Sequence, residues 1–247
     1  YELCPNLKNL NWNNVFVAGG SVLCALKAGE HFFTGSDIDV FLYGLSAEQA
    51  LKKIAEIEAA LKEGKKEIVV VRTSRTLTFV SGYPSRHVQI VLRLYNTPAE
   101  VLLGFDLDCV GCGFDGNKVW ALPRCRRALN LQYNIADPTR QTFRTTSYEY
   151  RLWKYSKRGF GIAIPGFNRS DVNTEIYQKT FPQVKGLAKL LLLEERDIQH
   201  KILQQSNNKL YWFYDSGACS DRVEKVNSVE TLSLVDEDVV SHVIDYN

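Results

Sequence analysis

An α+β fold, with a mixed sheet flanked by helices and a mostly helical C-terminal region after it, is the class this chain predicts. Apolar runs with strand periodicity alternate with helical stretches as far as about Pro123. The strongest helical pattern in the chain lies between two of those runs, and from about residue 130 onward the texture turns basic and helical. The 247 residues are 45% hydrophobic and 23% charged, an ordinary globular composition that allows one large domain or two smaller ones. We expect one domain over residues 1–130 and a second, mostly helical region over 131–247.

Each element follows from its local pattern. VFVAG (Val15–Gly19) is a short apolar run ending in glycine, and SVLCALKAG (Ser21–Gly29) reads as a short helix that Gly29 can end. DIDVFLYG (Asp37–Gly44) alternates charged and apolar residues as a half-buried strand does. The stretch 46–65 is a helix with Ser46 as N-cap: Ala50, Ile54, Ile57 and Leu61 share one face, and Lys and Glu occupy the other. EIVVVRTSRTLTFVS and RHVQIVLRLY read as two strands separated by SGYPS. NTPAEVLLG is a short helix with Asn96 or Thr97 at its cap and Pro98 in its first turn. FDLDCVGCGFDGNKVWALP holds two strand-like runs hinged at Asp115-Gly116, a hairpin signal. Beyond it come a basic RCRRALN, a DPTRQTFRTT loop, an amphipathic helix in SYEYRLWKYSKRGF closed by Gly159, and a tail helix within 181–205. An acidic stretch, Val235 to Asp238, follows.

Composition excludes some functions. A net charge of +2 is too small to imply a polyanion partner, so any nucleic-acid case rests on local clusters of Lys and Arg. Six cysteines (Cys4, Cys24, Cys109, Cys112, Cys125, Cys219) are too sparse for a disulfide scaffold, so a cytoplasmic or nuclear compartment is expected. CVGC at 109–112 has zinc-knuckle spacing but no second Cys or His pair follows it, and zinc is not expected. His31, His87, His200 and His242 show no ligand spacing. No run of about 18 apolar residues is present, so no membrane span is expected. The chain opens on Tyr1 and contains no Met, which leaves open residues upstream of it.

The candidate chemistry lies between Val15 and Leu45. On a strand, residues two apart project to the same face, so Asp37 and Asp39 stand side by side while Ile38 and Val40 face the core. Two carboxylates this close repel unless a cation lies between them. A hard divalent ion such as Mg2+ or Mn2+, which keeps positions open for phosphate oxygens and water, meets that need. Gly19-Gly20-Ser21 leads into a helix N-terminus, where backbone N–H groups and the Ser21 hydroxyl can hold phosphate. A phosphate cradle facing a metal-binding acid pair predicts a site for a nucleoside triphosphate.

The strand, GG, helix and DxD arrangement resembles the DNA polymerase β-like nucleotidyltransferase superfamily. Within it, the stretch is similar to the head domain of CCA-adding enzymes and bacterial poly(A) polymerases. AGGSVLCALKAG matches the glycines, Val22 and Leu26 of their GGxVRDxLL pattern, and SDIDVF matches the acid strand. Leu23 and Cys24 replace the Arg-Asp of that pattern, which argues against a true CCA-adding enzyme. The chain also resembles nucleotidyltransferase-like domains found beside ankyrin repeats. The resemblance covers roughly Val15 to Ala128. It implies a nucleotidyltransferase-type sheet, an NTP as substrate, Mg2+ or Mn2+ as cofactor, and a third acid on a later strand.

For that third acid the sequence offers Asp106 and Asp108, which share a face if strand-borne; one of them can complete the metal site or act as general base. A helix-to-strand turn explains the same pair equally well. Gln89 is a further candidate position where related enzymes can carry an acid, and if its strand is the equivalent one the base is missing. In the helix 147–158, Arg151, Lys154 and Arg158 fall at i, i+3 and i+7 among Tyr148, Tyr150, Trp153 and Tyr155. That face can grip the triphosphate or a nucleic-acid backbone, with the aromatics stacking on bases; a solvated helix face with its aromatics in the core fits as well. The expected function is transfer of a nucleoside monophosphate from an NTP to an acceptor hydroxyl, foremost an RNA 3′ end. The alternatives are transfer to a small molecule or protein, or an inactive binding module. The base, the acceptor and the oligomeric state are left open.

Overall fold

The computed structural model describes residues 5–27, 36–63, 68–82, 85–140, 147–196 and 224–226. Several sequence expectations lie outside these: the helix stop at Gly29, the loop residues 141–146, the tail helix beyond 196, the acidic stretch 235–238, Cys4, Cys219, His31, His200 and His242. The chain gathers into two compact units. The first holds residues 1–105, 110–122 and 219–247, and the second holds 106–109 and 123–218.

In the first unit, β1 (Val15–Ala18), β2 (Ile38–Tyr43), β3 (Val69–Arg72), β4 (Thr76–Val80), β5 (Val88–Tyr95), β6 (Cys112–Phe114) and β7 (Val119–Ala121) form a mixed sheet. Their order is β3-β4-β5-β2-β1-β6-β7, and Glu224–Val226 pairs with β3 as an eighth strand. Within this sheet the β2–β5 pair is parallel and the other described pairs are antiparallel.

The helices α1 (Gly20–Leu26), α2 (Ala47–Lys62) and α3 (Pro98–Leu103) belong to this unit. α2 starts where the sequence places its cap. Ser46 Oγ accepts from the Gln49 N–H (3.3 Å) and the Gln49 side chain accepts from the Ser46 N–H (2.8 Å), a reciprocal box that satisfies two N-terminal donors. Its buried face includes the expected Ala50, Ile54, Ile57 and Leu61. α3 is capped by Thr97, whose hydroxyl accepts from the Glu100 N–H (3.3 Å).

Alternation along the strands divides the core. Phe16, Ala18 and Phe41 cluster with Val101 and Leu102 of α3, and Phe105 and Tyr95 close the cluster at its edge. The opposite row, with Ile38, Val40, Leu42, Leu77, Phe79, Val88 and Ile90, is buried too. Each such side chain contributes about 1.5–3 kcal/mol.

One expectation needs correction. The run 67–81 reads as a single strand, but the structure breaks it into the hairpin β3–β4. Thr73 makes the turn: its hydroxyl accepts from the N–H groups of Arg75 (3.2 Å) and Thr76 (3.0 Å), and its own N–H donates to the Thr76 carbonyl (2.9 Å). A threonine side chain that bonds nearby backbone replaces the Gly or Pro that normally marks a turn.

The second unit carries α4 (Pro123–Leu131), α5 (Ser147–Ser156), a helical stretch 189–196 and several short 3-10 turns. A two-stranded parallel ladder of β8 (Tyr133–Ile135) and β9 (Gly161–Ala163) accompanies them. Gly159 follows α5 with φ +85°, as the sequence expects of a helix stop. Among the described residues, no helix is long and apolar enough to cross a membrane.

Candidate active site

β1 ends at Ala18, and the backbone turns at Gly19 with φ +87°, a region that L side chains rarely adopt. The Gly19 N–H donates to the Cys112 carbonyl (3.0 Å), tying the turn to β6, and the Gly19 carbonyl accepts from the Leu23 N–H (3.0 Å), opening α1. First-turn N–H groups of a helix have no partner within it, and here they belong to Gly20, Ser21 and Val22. Ser21 Oγ is buried with no hydrogen-bond partner.

The acid strand meets this turn. Asp39 pairs with Ala18 across the β1–β2 ladder, so the acids and the glycines occupy one end of the sheet. A Cβ on Gly19 would lie 3.7 Å from Asp39 Oδ2 and 3.2 Å from Phe105 Cε1. Asp37 precedes β2, and strand alternation aims it to the same side as Asp39; both are half-buried. On the neighbouring strand, β5, the residue in register with Asp39 is Gln89. Its Nε2 donates to Thr78 Oγ1 (3.0 Å), so a neutral amide held by β4 stands beside the acid pair.

The donor set fits a hard cation. Two carboxylates, a glycine turn with no side chain between it and Asp39, and a buried hydroxyl awaiting an acceptor or donor suit Mg2+ or Mn2+, which binds through one or two carboxylates and takes its remaining oxygens from water and phosphate. Among the described residues no group of three or more His, Cys, Asp or Glu side chains forms a metal cluster, so no complete protein cage is built there.

Asp106 and Asp108 differ from the strand-borne pair the sequence allows. Neither lies on a strand; Asp108 opens a short 3-10 helix, Asp108–Val110. The physical reason lies in the ladder: the Cys109 N–H is taken by Asn134 Oδ1 (2.8 Å) rather than by a neighbouring strand. Within the second unit Asp108, only 6% exposed, accepts from Arg127 Nη2 (2.6 Å) and the Ile135 N–H (3.0 Å), with Arg124 Nη1 at 3.7 Å. Asp106 pairs with Arg151 Nη1 at 3.1 Å. These contacts give Asp108 a structural task that joins α4 to β8. Burial pushes the Tyr148 phenol up; it is opposed by the Asp137 N–H that it accepts and reinforced by the charges of Asp137, Asp106 and Asp108.

The basic triad, Arg151 and Lys154 on α5 and Arg158 in the turn after it, is divided among tasks. Arg151 is held by Asp106, and the Arg158 guanidinium lies 4.8 Å from the Tyr155 ring centroid, while Lys154 is exposed. The CVGC cysteines are buried thiols, and burial, with the neighbouring Cys125 and Asp108 adding to it, pushes Cys109 up to about 12. Sequence reasoning missed Phe105, whose ring lies against the Gly19 turn, and Thr78, which fixes Gln89. Neither carries a local signal, because each acts only through a strand or turn remote in sequence.

A family model described as "Gad2: Gabija anti-defense 2 family protein" matches residues 2–131. The chain is 32% identical over 186 residues to the uncharacterised protein R883 of Acanthamoeba polyphaga mimivirus; the match covers 69% of this chain and spans 40% of that relative's length. A solved structure described as a tRNA-processing enzyme with CTP aligns with 81% of this chain and 56% of its own, at 15% identity and a TM-score of 0.43.

Proposed function

The chain belongs to the Gabija anti-defense 2 family, and on that premise we propose that it is a metal-dependent nucleotidyltransferase moving a nucleoside monophosphate from an NTP to an acceptor hydroxyl, foremost an RNA 3′ end. The observation that carries this reading is the meeting of the glycine turn with the acid strand, where Asp39 Oδ2 stands 3.7 Å from the place a Gly19 side chain would fill. The Gly20 and Ser21 N–H groups and the Ser21 hydroxyl hold the triphosphate, and Asp37 and Asp39 hold Mg2+ or Mn2+. When bound, that ion neutralises charge that develops on the phosphoryl oxygens. The acceptor oxygen attacks the α-phosphorus, the bond to the bridging oxygen breaks, and pyrophosphate leaves. Because Gln89 supplies no carboxylate beside Asp39, the acceptor's proton passes to water or to the acid pair. The family's description names action against the Gabija defence and no chemistry, so it supports that role whether the chain transfers nucleotide or only binds it.

Gln89 favours one second reading, a binding module that holds nucleotide without turnover. The two separate in a single assay: protein with each labelled NTP and Mg2+ or Mn2+, with and without an RNA oligomer. Label entering RNA, or the protein itself, supports the enzyme; metal-dependent NTP binding without incorporation supports the module. Asp39→Asn removes one charge and little volume. It is expected to lower transfer at least about 100-fold with an unchanged melting temperature, a loss typical of removing an electrostatic stabiliser. Full activity in that variant would take the acid pair out of the mechanism.

A further inference from the structure

The helix α5 sorts its aromatic residues in a way the sequence left open. At 3.6 residues per turn, Tyr148, Leu152 and Tyr155 share one face, and all three are buried. Tyr150, Trp153 and Lys154 of the helix, with Lys157 in the turn that continues it by donating its N–H to the Trp153 carbonyl (3.3 Å), follow the i, i+3, i+4, i+7 spacing centred about 180° away. On this outer face Tyr150 and Trp153 are half-buried, Lys154 and Lys157 are exposed. The two rings lie 5.3 Å apart, tilted by 40°, and Lys157 Nζ stands 5.3 Å from the Trp153 centroid.

We infer that this face binds a single-stranded polynucleotide, its bases stacking on Trp153 and Tyr150 and its phosphates meeting Lys154 and Lys157. Charge selects the partner. Between Tyr150 and Gly159 the chain carries Arg151, Lys154, Lys157 and Arg158 and no acid, and the adjacent Glu149 is buried. Lysine is depleted from protein–protein interface cores, whereas aromatic rings interleaved with cations are what unpaired bases on a phosphate chain require. A duplex keeps its base faces stacked internally and offers these rings nothing, so the strand is single. By the same spacing Arg151 and Arg158 fall on the flank of the face and are only partly exposed, whereas Lys154 and Lys157 fall on it and are exposed, so the strand follows the two lysines instead of the triad at 151, 154 and 158. The inference rests on the nucleotidyltransferase reading only in making this strand the acceptor; the binding itself is independent of transfer.

The test measures anisotropy of a labelled 12-nucleotide RNA, without NTP, over a range of salt. The whole chain is expected to bind the single strand more tightly than the same sequence as duplex. Lys154→Ala with Lys157→Ala is expected to flatten the slope of log Kd against log salt by about 1.4 units, at about 0.7 per phosphate contact of a single strand. Trp153→Ala is expected to weaken binding about 10-fold, while Trp153→Phe, which keeps a stacking ring and guards against misfolding, retains most of it. Asp39→Asn is expected to bind RNA normally. No binding of the single strand by the wild type, an unchanged salt slope in the lysine variant, or equal affinity of Trp153→Ala and wild type overturns the proposal and turns the face towards a protein partner. RNA binding that survives while every transfer assay fails overturns the enzyme reading alone.

Discussion

At Gly19 the backbone itself selects the residue. Its φ of +87° is strained for any L side chain, and a Cβ would press against the Phe105 ring at 3.2 Å while approaching Asp39. Gly19→Ala is therefore expected to cost about 1–2 kcal/mol of stability, read from the urea midpoint, and to weaken NTP binding because the turn presents Gly20 and Ser21. A loss of only a few tenths of a kcal/mol would show that the turn relaxes freely and that glycine is not required there. Gln89 illustrates the opposite case. Its identity is plain in the sequence, but its meaning depends on standing in register with Asp39 and on the hydrogen bond that fixes it to Thr78.

At the scale of elements, the β6–β7 hairpin is organised by one carboxylate. Asp115 accepts from the N–H groups of Asn117 (2.9 Å) and Lys118 (2.8 Å) and from the Trp120 indole (2.7 Å), and Gly116 takes the φ of +95° that the turn needs. Burial pushes this carboxyl up, but those three donors and the Lys118 charge outweigh it and hold it below the usual value. With the folded value below the unfolded one, the stabilisation is complete above the unfolded value and disappears as pH falls through the folded one. Stability is thus expected to drop below about pH 4, and Asp115→Asn to flatten that drop. Urea midpoints at pH 6 and pH 3 for both proteins check it; an identical fall in each would remove Asp115 from the acid response. The stretch before this hairpin shows why Asp106 and Asp108 are legible in two ways, as strand residues or as a helix-to-strand turn. An apolar-Asp-apolar pattern fits a strand as well as a turn, and only the side chain of Asn134, brought to the Cys109 N–H from 25 residues away, decides between them.

For the whole molecule, the buried thiols report folding. Cys112 lies in the first unit and Cys109 and Cys125 in the second, all three buried, and the Cys125 thiol donates to the Cys109 carbonyl (3.4 Å). Burial denies reagents access and keeps Cys109 protonated at neutral pH. Pulsed alkylation followed by peptide mass mapping is expected to modify Cys24, which is only partly buried, in the native protein, and the other three only at denaturant concentrations that unfold the chain. Labelling of native Cys109 as fast as Cys24 would contradict the buried placement.

By itself the sequence determined what depends on neighbours along the chain. The capped helix from Ala47, the strand that bears Asp39 and is preceded by Asp37, the turn at Gly19-Gly20-Ser21 and the Asp115-Gly116 hairpin are all set by spacings of two to four residues, because caps, alternation and turn chemistry act over that range. Tertiary structure alone decided what depends on pairing between distant strands and helices. The register that puts Gln89 beside Asp39, the packing of Phe105 on Gly19, the capture of Asp108 by Arg124 and Arg127, and the outward turn of Tyr150 and Trp153 are set by long-range contact. Local pattern says which way a side chain alternates, but not what it meets there.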